Sequence, residues 1–146
     1  MNCMQIKKTR TGLRVRSLPG VHPEVRRACL EFASWIRGNM EFPIRVVVYL
    51  KKDYYILTKF NEEVSASFFA PYNKNDEPYI RIATGDFEEL DSKYGRNNTL
   101  ASYLVSFAHE LIHYQQWIHD EPFLEKEAEE KANVIVDQYA ESREYP

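Results

Sequence analysis

An α+β fold is predicted for this chain: one N-terminal helix, a small and mostly antiparallel sheet of three or four strands, then two helices in succession. Three observations predict it. Apolar residues recur at helical spacing after Pro23, short β-branched and aromatic runs bounded by turn residues fill the middle of the chain, and helical spacing returns after Asn97. At 146 residues the chain has the size of one domain with one core, 1–146.

The first twenty residues show no periodicity and end in Pro19-Gly20, so they read as a loosely structured arm or an edge segment. From Pro23, which suits a first helical position, Val25, Ala28, Cys29, Phe32, Trp35 and Ile36 share one helical face, and Gly38 supplies a stop. Three strands are expected at Ile44 to Leu50 (IRVVVYL), Val64 to Ala70 (VSASFFA) and Tyr79 to Thr84 (YIRIAT). Lys51 to Phe60 (KKDYYILTKF) extends the first of these or forms another, and Pro71 to Pro78 (PYNKNDEP) is a loop. Asn97 or Asn98 then caps a helix with Leu100, Tyr103, Leu104, Phe107, Ala108, Leu111, Ile112 and Trp117 on its apolar side. Asp120-Glu121-Pro122 breaks it, and Phe123 to about Ser142 forms a last helix with Leu124, Ala128, Ala132, Ile135, Val136 and Tyr139 facing inward.

Composition excludes several classes. A hydrophobic fraction of 44% with 28% charged residues is that of a globular chain, not a disordered one. The net charge of −3 gives no electrostatic reason to expect nucleic acid or an anionic membrane as a partner. The basic stretch Lys7 to Arg16 is not followed by the apolar run of a secretory signal, and no segment is apolar for long enough to span a membrane. Cys3 and Cys29 are too few for a disulfide framework and read as free thiols of a cytoplasmic protein.

The chemistry concentrates in SFAHELIHYQQWIH, Ser106 to His119. On a helix His109 and His113 project from one face a turn apart, so both imidazoles can reach one ion. Glu110 is rotated from His109 by about 100°, which suits a base beside the metal and not a ligand on it. His-Glu-x-x-His is the pattern of a hydrolytic zinc site, in which the metal activates water and the glutamate moves its proton. His119 points away from the His pair if the helix continues and reads as a surface or cleft residue. Tyr114 is in principle an oxyanion donor, though an aromatic beside a ligand is more often packing.

A catalytic zinc takes three protein ligands and keeps one position open. In the last helix a helical wheel puts Glu125 among the apolar positions, Glu129 at their edge, and Glu127 and Glu130 on the solvent side. A carboxylate among core residues needs a partner, so Glu125 is the first candidate for the third ligand and Glu129 the second.

These residues resemble the small zincin metallopeptidases of the gluzincin type, with His-Glu-x-x-His on one helix and Glu-x-x-Ala on the next. His109 to His119 (HELIHYQQWIH) followed by Glu125 to Asn133 (EKEAEEKAN) is similar to the minimal catalytic domains of SprT-like and ImmA/IrrE-like proteins. The match to Glu-x-x-Ala is Glu125 to Ala128, and Glu129 to Ala132 also fits it. The resemblance implies a zincin-like fold, one Zn²⁺ held by His109, His113 and Glu125, Glu110 as general base, and a peptide or protein substrate laid along an edge strand before the motif helix. Tyr79 to Thr84 is the strand expected in that place. The competing expectation is a binding or regulatory module that zinc stabilises and that turns over little substrate; Glu110 favours the enzyme, because a structural zinc has no use for a base.

Overall fold

The computed structural model describes residues 10–144 and 146. Cys3 and the start of the basic stretch, Lys7 to Thr9, lie outside these. The elements run β1 (Leu13–Ser17), α1 (Pro23–Ile36), β2 (Val46–Lys51), β3 (Ile56–Leu57), β4 (Glu63–Val64), β5 (Ala66–Phe69), β6 (Tyr79–Ala83), α2 (Phe87–Tyr94), α3 (Arg96–Ile118) and α4 (Glu125–Glu141). The class is α+β, with four helices and a small mixed sheet among the described residues.

The sheet has the order β1-β2-β6-β5, with β1 parallel to β2, β2 parallel to β6, and β5 antiparallel to β6. The expectation of a mostly antiparallel sheet is therefore corrected. Two pairings cause it: Leu13–Ser17 belongs to an edge strand, not to a loose arm, and α1 carries the chain back so that β2 runs parallel to it, while β2 also runs parallel to its other neighbour, β6. A second correction concerns the substrate edge. β6 is an interior strand, and β5 ends the sheet on that side. Lys51 extends β2, while Ile56–Leu57 pairs with Glu63–Val64 in a separate two-stranded ribbon.

The core is built as the periodicities require. Val46, Val48 and Leu50 of β2 and Ile80 and Ile82 of β6 are fully buried, as are Val25, Cys29 and Phe32 of α1 and Phe107, Ala108 and Leu111 of α3. The ring of Phe32 meets Phe107 edge-on at 5.3 Å and Tyr139 at 5.1 Å, so one side chain ties α1 to both C-terminal helices. Cys29 is a free thiol inside this core. No helix among the described residues is long and apolar enough to cross a membrane.

Two joints set the position of α3. Its N-cap is Gly95, not Asn97 or Asn98: a φ of 86° turns the chain from α2 straight into α3, leaving both asparagines inside the first turn. The other is Gly85, between β6 and α2, where an added Cβ would lie 2.5 Å from the carbonyl oxygen of Lys52 and 2.8 Å from the carbonyl carbon of Asp53. Gly85→Ala is expected to lower the unfolding free energy by about 1–3 kcal/mol in a urea titration, because backbone must move to admit the methyl group.

Candidate metal centre

His109 and His113 stand one turn apart on α3, their ring centroids 5.0 Å apart. α3 ends at Ile118, Asp120 adopts a φ of 53°, and the chain doubles back into α4, whose first residue is Glu125. This αα-hairpin delivers the carboxylate to the imidazoles. Glu125 Oε2 lies 2.9 Å from His109 Nε2, and Glu125 Oε1 lies 2.9 Å from His113 Nε2. The three ligand atoms fall within 4.8 Å of one another, so one cation can be reached by all of them.

The carboxylate predicted from the sequence is the one that meets the histidines, but the reason given by the wheel is corrected. Glu125 does not lie among core positions, since its side chain is 76% exposed. Leu124, taken as part of the apolar face, stands before the helix and is itself exposed. It is the reversal of the chain, not burial, that aims Glu125. Glu129 and Glu130 are exposed and outside the cluster. Glu127 is not on the solvent side as expected: it is half-buried and accepts a hydrogen bond from Gln116 Nε2 at 3.1 Å.

Glu110 occupies the opposite environment. It is buried, at 7% exposure, and lines one cleft of about 290 Å³ together with His113, Glu125, Ala66, Phe68 and Phe123. Burial pushes its carboxyl up to about 8, and the nearby charge of Glu125 adds to the rise. A carboxyl with that affinity for a proton is suited to exchange one near neutral pH. A dication among the three ligands would favour its charged form and move it back toward the ordinary carboxylate range.

His119 and Tyr114 lie elsewhere. His119 caps α3 and borders a separate cavity of about 650 Å³ with Arg37 and Pro43. Tyr114 is fully buried; its hydroxyl accepts from the Ile44 N–H at 3.1 Å and donates to the Ile44 carbonyl. That is a structural tether. Tyr114→Phe is expected to lower stability by about 0.5–2 kcal/mol, since two partly buried backbone groups of Ile44 lose their partner. Metal content and turnover should stay at the wild-type level, and a selective fall in turnover would return Tyr114 to the chemistry.

Two residues at the site were not anticipated. Phe123 packs its ring 5.7 Å from that of His113 and walls the cleft, although it is half exposed. Gln116, at 1% exposure, places Oε1 2.8 Å from His113 Nδ1. Its spacing of one turn after His113 was the signal available in the sequence. No family model, curated protein or solved structure matches the chain.

Proposed function

We propose that this chain is a zinc-dependent metallopeptidase of zincin type, acting in the cytoplasm on peptide or protein substrates. The observation that carries the reading is the pairing of two carboxylates with opposite environments. Glu125 is exposed and touches both histidines, whereas Glu110 is buried in the cleft that Glu125 and His113 also line and is not one of the three clustered groups.

The donor set fits zinc. Two imidazole nitrogens and one carboxylate oxygen are the ligands of a catalytic zinc with a position left open, and the exposure of Glu125 leaves that side accessible to solvent. His109, His113 and Glu125 would hold the zinc, which would supply Lewis acidity toward an attacking water and the scissile carbonyl. Glu110 accepts the proton of that water at its carboxylate and delivers it to the departing amine. Because Glu110 is desolvated, the transfer takes place where water competes little for either partner.

An extended peptide is supported as the substrate by β5, which replaces β6 in this role. β5 ends the sheet and sends Ala66 and Phe68 into the cleft that Glu110 and His113 also line. A strand added to its outer edge would carry alternate side chains toward that apolar space.

The test is cleavage of an unstructured peptide library by the zinc-loaded chain, with products located by mass spectrometry. Cleavage abolished by a chelator and restored by zinc supports the reading. Stoichiometric zinc without any cleaved product favours the zinc-stabilised binding module instead.

A further inference from the structure

We propose that Gln116 is a positioning residue that holds His113 in one tautomer and at the same time fixes the start of α4, so that the second and third ligands are set by a single amide. Three contacts carry this. Gln116 Nε2 donates to the Leu124 carbonyl at 3.3 Å and to Glu127 Oε1 at 3.1 Å, and Oε1 faces His113 Nδ1 at 2.8 Å.

The orientation of the amide follows from what surrounds it. A backbone carbonyl and a carboxylate can only accept, so the NH₂ group must face Leu124 and Glu127. The amide oxygen is thereby turned toward His113, and it too can only accept. His113 Nδ1 must then carry the hydrogen. Nε2, the nitrogen that does not depend on Gln116, lies 2.9 Å from Glu125 Oε1; that carboxylate also only accepts, so without a metal it competes with Gln116 for the hydrogen of a neutral ring. At 1% exposure Gln116 has no solvent to exchange these partners for, and reversing the amide would set oxygen against two acceptors.

The same amide grips α4 on both sides of the ligand. Leu124 immediately precedes Glu125, and Glu127 follows it by two residues. Glu127 is also 3.6 Å from Lys131, one turn further along α4, which steadies the acceptor. Gln115, only partly buried and with no part in these contacts, cannot substitute.

The tautomer is a property of the chain itself, while its value to a metal rests on the function proposed above. Nitrogen-15 NMR of the histidine-labelled, metal-free Glu125→Ala protein at alkaline pH, where no carboxylate competes at Nε2, reads the tautomer that Gln116 imposes. The expected result is His113 protonated at Nδ1 in Glu125→Ala, with loss of that preference when Gln116→Met is added. Zinc affinity is expected to fall about 10- to 100-fold in Gln116→Met, the usual cost of losing an outer partner of a metal-bound histidine. His113 protonated at Nε2 in a folded Glu125→Ala protein would overturn the proposal. So would a cooperatively folded Gln116→Met with an unchanged tautomer and unchanged zinc affinity. A switched tautomer in a protein that binds no zinc would leave the positioning role standing and defeat the peptidase reading alone.

Discussion

Glu110→Gln is expected to keep zinc at one ion per chain and to lower peptide turnover about 100- to 10,000-fold, the range for loss of a positioned general base. Glutamine preserves the volume of the side chain and its packing in the cleft, but it cannot take a proton from water. Because Glu110 is outside the group of clustered ligands, metal affinity should hold while catalysis falls. That separation distinguishes a base from a ligand. The substitution also carries a stability signature in the metal-free protein. Glu110 binds its proton more tightly folded than unfolded, since burial raises its carboxyl from 4.5 to about 8. Above pH 4.5 the unfolded chain gives up that proton before the folded one does, so wild type loses stability as the pH rises toward 8. Glutamine has no such proton, and Glu110→Gln should therefore gain on wild type in thermal melts at pH 8 but not at pH 4 or below. An equal gain at both pH values would mean that Glu110 ionises freely in the fold.

Glu125→Ala is expected to reduce zinc affinity by more than the roughly 10- to 100-fold that follows loss of an outer-shell partner, with the fold intact. Its side chain is 76% exposed and stands at the first position of α4, so its removal opens no cavity and, besides its solvent-exposed contacts with the two histidines, costs the modest interaction of an acid with a helix N-terminus, about 0.3–1 kcal/mol. Titration with a competing chelator measures the affinity, and far-ultraviolet circular dichroism checks the fold. Glu129→Ala is the control, since Glu129 is exposed on the same helix outside the cluster. If Glu129→Ala lost zinc and Glu125→Ala did not, the ligand set would be wrong. His113→Ala is a less clean variant, because it also strands the buried amide of Gln116.

How much of this was legible beforehand depended on whether the signal was local. The apolar faces of α1, α3 and α4 repeat every turn, and the residues placed on them are mostly buried. His109, Glu110 and His113 were legible for the same reason, as their relation is fixed by one helix. The sheet was not. LRVRS in β1 alternates over only five residues, with Arg14 and Arg16 exposed, and whether it pairs in parallel depends on how α1 returns the chain. Helix α2 is short and polar, FEELDSKY, and only Phe87 is buried, so it carried little periodic signal. Glu125 marks the boundary between the two kinds of information. It is the carboxylate that meets both histidines, yet it was picked from a face to which it does not belong, because a helical wheel describes one helix and this side chain is placed by the turn between two. Gln116 and Phe123 escaped notice for that reason also: each matters through a contact across the αα-hairpin or along the cleft.

The central claim is that one zinc ion is held by two residues of α3 and one of α4. The direct measurement is an anomalous difference map at the zinc absorption edge from crystals of the zinc-loaded chain. The account predicts one peak per chain, bonded to His109 Nε2, His113 Nε2 and a Glu125 carboxylate oxygen at about 2.0–2.2 Å. No peak at this place in crystals grown with zinc, or a peak ligated through Glu129 in place of Glu125, would contradict it.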